Sequence, residues 1–378
     1  MDFTFTEEQQ VAAEAARVVF ANVAPDATPS PALTTGAVAD DFDRPLWAKL
    51  AAADLLSLLL AKEHGGAGLD PLALCLVLRE AAKVLARVPL LETSAVALTV
   101  QRYGDKELAD ELLPRAGRGE LVLTAAAHGR TGHEGAELAV TARQSDDSGW
   151  TLDGVQTAVP WARHADHIAV PAHTEDGRTV LALIPRGRTG AALADQVSTN
   201  GELLAEVRLD AVPATAHEVI TDPAAWERLH ALLTTGTCAQ ALGLGERVLE
   251  MTAAYTSQRE QFGFPVATFQ AVAVQAADRY IDLRAMEATL WQAAWRLSCD
   301  ADGALPLAGD VAVAKIWACD GVRRTVQTAQ HLHGGFGADT DYPLHRYHAW
   351  AKHLELSLGP AAAHEEALGD LLAAHPLG

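Results

Sequence analysis

The stretch from residue 266 to 302 contains neither glycine nor proline, the two residues that most often interrupt a helix. Its apolar residues recur at helical spacing, so the sequence predicts one unusually long helix there. The predicted apolar stripe consists of Val272, Tyr280, Leu283, Leu290 and Leu297. A second long helix is predicted from Asp310 to about His331. Long helices joined by short loops are typical of a four-helix bundle.

Three sections of the chain differ in their periodicity, which predicts three domains. Residues 1–118 show helical spacing throughout, including a helix expected over residues 44–61. Residues 119–221 carry short alternating segments separated by turn residues, typical of a small β-barrel or sandwich. Residues 222–378 hold the long helices. The predicted fold is therefore α+β multidomain, with an N-terminal all-helical domain, a middle β-barrel and a C-terminal four-helix bundle.

Charge and cysteine spacing argue against several classes of function. The net charge of -20 disfavours non-specific nucleic-acid binding, which requires a cationic surface. The four cysteines are far apart and show no metal-binding spacing, so we expect reduced thiols and no metal site. The sequence shows no basic leader and no apolar run of membrane-spanning length. We therefore expect a soluble cytoplasmic protein without a membrane partner.

Two motifs at the ends of predicted long helices point to a function. The first is residues 259–263 (Arg-Glu-Gln-Phe-Gly), and the second is residues 331–337 (His-Leu-His-Gly-Gly-Phe-Gly). Glycines at a helix end permit a sharp turn and the close approach of another molecule. Together with the run from Asp341 to Gly359, these motifs resemble the C-terminal signature of the acyl-CoA dehydrogenase family. The resemblance extends over the whole chain.

This resemblance implies an enzyme that uses FAD to desaturate an acyl-CoA thioester. In the family, an arginine and an aromatic residue at the first motif reach the FAD of a neighbouring subunit, and the glycines of the second approach the same dinucleotide. A guanidinium suits a pyrophosphate because it offers a bidentate pair of donors. The implied cofactor-binding residues are Arg259, Gln261, Phe262, Gln270, His331 (in place of a family glutamine), Gly334 and Gly335.

The catalytic base of the family has no counterpart in this chain. Removal of the α-proton requires a carboxylate in an apolar pocket. Counted from Pro343, the position of the family glutamate is occupied by Leu358. The family's alternative position falls near Leu232 and Leu233. Because leucine accepts no proton, we expect no catalytic residue in this chain.

The segments that hold a subunit's own flavin are altered too. The family loop Thr-Glu-Pro-Gly-x-Gly-Ser-Asp corresponds to residues 124–131, which keep only Thr124 and one glycine. The family strand that stacks an indole on the flavin corresponds to a segment containing Ala158 and Pro160. Alanine cannot stack, and proline offers neither a hydroxyl nor an N–H. Trp161 could compensate, although packing at the strand end is the simpler role.

These departures resemble the non-catalytic partner in heteromeric acyl-CoA dehydrogenases of bacteria that degrade sterol side chains, which contain two copies of each of two subunits. The leading hypothesis is a base-lacking subunit that shares FAD at an interface with a homologous, base-bearing subunit and acts on an acyl-CoA in lipid or steroid catabolism. One alternative is a self-sufficient homotetramer with a relocated base such as Glu355 or Asp341. The others are a flavin monooxygenase on the same fold and a purely structural binding protein. Five histidines near the second motif are not expected to bind a metal: His331, His333, His345, His348 and His353.

Overall fold

A computed structural model of the chain describes residues 4–25, 28–31, 34–129, 139–145, 149–299 and 303–376. The N-terminal region is helical, as predicted. Its helices are α1 (Glu7–Phe20), α2 (Arg44–Ala52), α3 (Pro71–Lys83), α4 (Leu90–Tyr103) and α5 (Lys106–Gly117). A capping box starts α1, because the Thr6 hydroxyl accepts from the Gln9 N–H and the Gln9 side chain accepts from the Thr6 N–H.

The helix expected over residues 44–61 is shorter than predicted. Helix α2 ends at Ala52, and Asp54 adopts a positive φ of 57°, which is incompatible with a continuing helix. The chain then runs through turns that bury all five leucines between Leu55 and Leu60. A continuous helix would have turned some of these leucines toward solvent, so burial outweighs the helical pattern here.

The middle region is a single sheet. Its strands are β1 (Leu123–Ala125), β2 (Val140–Gln144), β3 (Trp150–Pro160), β4 (His167–Thr174), β5 (Thr179–Pro185), β6 (Ala191–Val197), β7 (Leu203–Ala214) and β8 (Val219–Ile220). They pair in the order β6-β7-β3-β2-β4-β5-β8, with β1 parallel to β4. Leu152, Val170 and Val207 from three of these strands belong to one core that is separate from the helical core. The sheet therefore curls around an apolar interior of its own.

The C-terminal region is the predicted bundle, with three long helices and two shorter ones. These are α6 (Ala224–Gln258), α7 (Gln270–Cys299), α8 (Leu307–His333), α9 (Leu344–Leu356) and α10 (Ala361–Ala374). A ribbon of β9 (Glu260–Gln261) and β10 (Phe264–Pro265) connects α6 to α7. Among the described residues, no helix is both long and apolar enough to cross a membrane.

The apolar stripe predicted for α7 is only partly buried. Leu283, Leu290 and Leu297 lie in the core, as expected. Tyr280, in contrast, is 56% exposed, so the predicted apolar stripe does not all face the core. The reason is that the N-terminal half of α7 lies on the surface of this chain, where Ile281 is exposed as well.

Helices α3 and α6 cross closely and tie the N-terminal region to the bundle. A Cβ placed on Gly243 of α6 would lie 2.0 Å from the carbonyl oxygen of Arg79 on α3, so only glycine fits. Beside this crossing, the Arg79 guanidinium pairs with Glu246 and lies 3.5 Å from Glu287 of α7. All three side chains are largely shielded from water. Removing one partner would leave a poorly solvated charge, which is costly.

Candidate functional site

The two sequence motifs meet at one end of the bundle. Arg259 is the C-cap of α6, and Gly334 is the C-cap of α8. Tyr255, one turn before Arg259, stacks on His333 with ring centroids 4.5 Å apart and on Phe336 at 5.1 Å. This aromatic stack joins the two helix ends. The structure therefore brings together motifs that are far apart in the sequence.

Phe262 and Gly263 form the two-residue turn of the ribbon. Their φ angles are 56° and 79°, and both central residues of a type I′ turn require positive values. Glycine adopts this conformation freely, whereas a phenylalanine there carries strain on the order of 1 kcal/mol. The Phe262 side chain is nevertheless 90% exposed, with Phe269 meeting it edge-on. Strained backbone that holds an exposed aromatic ring is typical of a binding residue.

The turn after α8 is also open. Gly334 has φ 59° and ψ -138°, a conformation that glycine adopts far more readily than other residues. A Cβ on Gly334 or Gly335 would meet no atom within 4 Å, so the backbone there is accessible to another molecule.

The seven residues implied to bind a cofactor share one property, which is exposure at this end of the bundle. We call them the bundle-end surface: Arg259, Gln261, Phe262, Gln270, His331, Gly334 and Gly335. None of them lines the cavity described next.

A cavity of about 630 Å³ lies between the sheet and helices α4, α6 and α9, and we call it the central cavity. Leu358, at the position of the missing base, is among its lining residues. Leu358 and Gly359 have φ values of 58° and 97°, so they form a left-handed turn after α9. The His364 Nε2 lies 2.9 Å from the Leu358 carbonyl oxygen and holds this turn. The Leu358 side chain offers no proton acceptor.

Polar groups on the sheet side of the central cavity are already engaged. The Thr124 hydroxyl is buried and donates to the Pro160 carbonyl at 2.6 Å. The Gln196 amide bonds to the Thr157 hydroxyl at 2.8 Å and accepts from the Ala158 N–H at 2.7 Å. Thr124, Thr157 and Ala158 lie in the two segments that the resemblance aligns with the family's flavin-binding loop and strand, and their polar groups are satisfied within this chain. Arg130 and Thr131 of the altered loop lie outside the described residues.

Sequence reasoning missed a carboxyl group in the central cavity. Glu92, in the first turn of α4, is the one acidic residue among the described residues that line it. The Trp161 indole N–H donates to Glu92, and the Trp161 ring packs edge-on against Phe42 at 6.3 Å. Burial raises the pKa of Glu92 to about 7. Trp161 therefore packs and orients Glu92, which agrees with the simpler of its two expected roles.

Two imidazoles also line the central cavity. The Ser198 hydroxyl lies 2.8 Å from the His353 Nδ1. Burial lowers the pKa of His353 to about 4 and that of His128 to about 3, so both rings are neutral near pH 7. In the described part of the chain, the buried His128 Nδ1 has no hydrogen-bond partner. The described lining residues include no lysine or arginine.

The proposed relocated bases lie elsewhere. Glu355 pairs with Lys352 at 2.6 Å and lies 3.9 Å from Arg323, and it does not line the central cavity. Asp341 is exposed in the loop before α9. The histidines near the second motif also disperse, and no group of three or more potential metal ligands occurs among the residues described.

Comparisons with known proteins agree on one family. The acyl-CoA dehydrogenase N-terminal domain matches residues 6–120, and the acyl-CoA dehydrogenase C-terminal domain matches residues 225–372. Acyl-CoA dehydrogenase FadE27 of Mycobacterium tuberculosis is 36% identical over 383 residues, covering 100% of both chains. The structure is similar to a chain of the ChsE4-ChsE5 complex from Mycobacterium tuberculosis, with a TM-score of 0.90, 34% identity and 100% coverage of both chains. A variant of the Tcur3481-Tcur3483 steroid ACAD gives a TM-score of 0.88 and 36% identity, covering 97% of this chain and 98% of that chain.

Proposed function

Because this chain belongs to the acyl-CoA dehydrogenase family, we propose that it is the base-lacking subunit of a heteromeric, FAD-dependent acyl-CoA dehydrogenase. The family's reaction is the oxidation of a CH–CH bond, and FAD supplies the hydride acceptor when it is bound. A homologous partner subunit supplies the carboxylate that removes the α-proton of the acyl-CoA. This chain supplies the bundle-end surface, which holds the FAD of that partner.

The observation that carries the proposal is the separation of the bundle-end surface from the central cavity. All seven residues of the bundle-end surface are exposed, and none lines this chain's own cavity. Residues that served a cofactor of this chain's own cavity would be expected along its wall. Their exposure supports a role toward a neighbouring subunit. Leu358 at the base position supports the assignment of proton removal to that neighbour.

The bundle-end surface fits a dinucleotide. The Arg259 guanidinium would bind the pyrophosphate through paired charge-assisted hydrogen bonds. The backbone at Gly334 and Gly335 leaves room for a phosphate or a ring to approach closely. Phe262 would cover part of the cofactor with its exposed ring.

The central cavity fits a flavin poorly. The Ala158 N–H and the Thr124 hydroxyl are engaged within the chain, and Pro160 has no N–H. A flavin ring there would have to displace Gln196 from its bonds to Ala158 and Thr157. We therefore assign no FAD to this chain's own cavity.

Two solved relatives extend the proposal to the assembly and the substrate. Both are named as pairs of proteins, the ChsE4-ChsE5 complex and Tcur3481-Tcur3483, and the second is named a steroid ACAD. We propose by analogy a tetramer with two copies of each subunit and a steroid-derived acyl-CoA as its substrate.

The proposal is tested by purifying the chain alone and together with a homologous subunit that carries the family glutamate. Flavin absorbance per chain and dehydrogenation of an acyl-CoA with an artificial electron acceptor are measured on both samples. We expect a colourless, inactive chain alone and a yellow, active assembly. Replacing the partner's glutamate with glutamine serves as the control, and it should abolish turnover while flavin stays bound.

The opposite result would support the alternative of a self-sufficient homotetramer. In that case the isolated chain would carry flavin and turn over acyl-CoA without a partner. Glu92 would then be the first candidate for the base, because Glu355 and Asp341 do not line the central cavity.

A further inference from the structure

We propose that the central cavity is a binding site for a neutral, mainly apolar molecule with a hydroxyl group, and that Glu92 binds that hydroxyl. The inference rests on the proposed function in one respect, namely that this cavity holds no flavin. It goes beyond that function because it gives the base-lacking subunit a ligand of its own.

The size and walls of the central cavity suit an apolar ligand. Its volume of about 630 Å³ lies within the range of about 300–1,000 Å³ that small-molecule sites occupy. Helices and sheet both contribute apolar side chains to its wall, among them Leu91, Ala125, Leu204, Leu233, Leu354 and Leu358. Leu358 matters most, because an apolar side chain replaces the charge that the family places there.

Glu92 provides the directional contact. The Trp161 indole and the Glu92 backbone N–H both stabilise its ionised form. A carboxylate has about four acceptor positions, so capacity remains for a ligand. Trp161 itself packs edge-on against Phe42.

The charges around Glu92 select against an anionic ligand head group. Among the described lining residues there is no lysine or arginine, and His128 and His353 are neutral near pH 7. The buried Lys315 ammonium acts on both imidazoles, but it already donates to the Leu354 and Glu355 carbonyl oxygens. A carboxylate on the ligand would therefore meet the charge of Glu92 with no cation in the described wall to offset it. A hydroxyl group both donates and accepts, so it pairs with Glu92 in either protonation state.

A second polar atom in the central cavity lacks a partner. The His128 Nδ1 is buried, and within the described residues it forms no hydrogen bond. Buried polar atoms in folded proteins are nearly always bonded to protein, water or ligand. This atom is therefore available to a polar group of the ligand, or to a water that such a group displaces.

The test uses the full chain in the form in which it purifies, either alone or with its partner subunit. Two probes of equal chain length, 1-decanol and decanoate, are titrated calorimetrically at pH 8, where Glu92 is mostly ionised. We expect saturable binding of 1-decanol, and binding of decanoate weaker by about tenfold or more.

Variants of this chain distinguish ligand binding in its own central cavity from binding in the cavity of the partner subunit. Glu92→Leu should weaken 1-decanol by about tenfold, the usual effect of losing a hydrogen bond to a charged group. Glu92→Gln should bind 1-decanol within about threefold of the original chain, because an amide donates and accepts, and should bind decanoate more tightly. Glu366→Gln, on the exposed face of α10, is the matched control and should change nothing.

Several results would overturn the inference. They are tighter binding of decanoate than of 1-decanol, no change with Glu92→Leu, or no saturable 1-decanol binding to the flavin-free chain. A chain that purifies alone with bound flavin would instead count against the proposed function. The two failures are therefore distinguishable by absorbance before any titration starts.

Discussion

The bundle-end surface and the central cavity both derive from parts of one family signature, yet they differ in the kind of groups that they present. The bundle-end surface presents a guanidinium, a strained aromatic turn and open glycines to the outside. Among its described lining residues, the central cavity carries one carboxyl group, two neutral imidazoles and a leucine at the base position. Under the proposed function, this difference means that a subunit can lose chemistry in its own cleft while it keeps the surface that serves a neighbour.

Acid should lower the stability of the protein mainly through buried histidines in and near the central cavity. The pKa values of His353, His364 and His230 are lowered to about 4 and that of His128 to about 3, in each case mainly by burial. In the unfolded chain a histidine titrates near 6.5, so the unfolded state binds more protons below that pH. The free energy of unfolding should therefore fall as pH drops from 6.5 toward 4, by up to about 2 kcal/mol per histidine at pH 5. Urea denaturation at pH 7.5 and pH 5 measures this loss.

Single histidine variants locate the acid effect. His353→Gln should reduce the pH dependence, because it removes a side chain that lines the central cavity and resists protonation. His331→Gln is the matched control on the bundle-end surface, where the side chain is exposed, and it should leave the pH dependence unchanged. Equal effects of the two variants would contradict the assignment of acid sensitivity to the cavity side.

The next largest effect is expected at Arg259. Arg259→Ala should lower the affinity of the assembled enzyme for FAD by about tenfold to a hundredfold, which corresponds to one lost charge-assisted interaction of about 1.5–3 kcal/mol. The stability of the chain alone should not change, because the side chain is exposed. Flavin content after dialysis and a thermal melt measure the two quantities. Arg178→Ala, in a turn of the sheet, provides a control that should retain all flavin.

Variants of Gly334 and Gly335 should have a smaller effect on FAD affinity. Together they distinguish backbone strain from close approach of the cofactor. Gly334→Ala should destabilise the turn by about 1–2 kcal/mol, because alanine disfavours φ 59°. Gly335→Ala introduces no such strain, and its Cβ would point into open space in this chain. A loss of flavin affinity in the assembly with Gly335→Ala would therefore report close approach by the cofactor alone. If both variants bind FAD normally, the bundle-end surface does not contact it.

The smallest change in activity is expected when a carboxylate is restored at position 358. Leu358→Glu places a proton acceptor in the central cavity, but the groups that would hold a flavin there remain engaged with Gln196 and Pro160. The isolated variant should therefore show no acyl-CoA dehydrogenation above that of the original chain. An active, flavin-bound variant would mean that Leu358 is the one defect of the cavity, and the contrast between the two regions would need revision.

The residues of the bundle-end surface came from the family resemblance, and only part of their local structure follows from the sequence. Glycine at 334 follows from the need to end a helix. The two-residue turn at Phe262-Gly263 was not predicted, because phenylalanine rarely adopts a positive φ. The long helix without glycine or proline was also predicted from its sequence. What the sequence could not indicate is which of these residues would lie outside the cavity, since that depends on how α6 and α8 end side by side.

The contacts of the central cavity depend on tertiary structure and were missed. Glu92 occupies a position where an acidic residue is ordinary, at the start of a helix, and nothing local links it to Trp161 at the end of β3. Strand β6 was missed because Ala191–Val197 has few β-branched residues and is paired through its backbone with β7. The early end of α2 was not predicted, because it results from the burial of the leucines between Leu55 and Leu60.

The close crossing of α3 and α6 restricts how a ligand could reach the central cavity. With backbone in contact at Gly243 and a shielded ion pair between Arg79 and Glu246, these two helices cannot slide or separate without breaking packing and exposing charge. Helix α6 forms one wall of the central cavity, and the sheet forms the opposite wall. We therefore expect any widening of the entrance to come from the other walls, which are the sheet around Gln196 and Ser198 and the helices α4 and α9. The speed of ligand exchange should depend on those walls and not on α6.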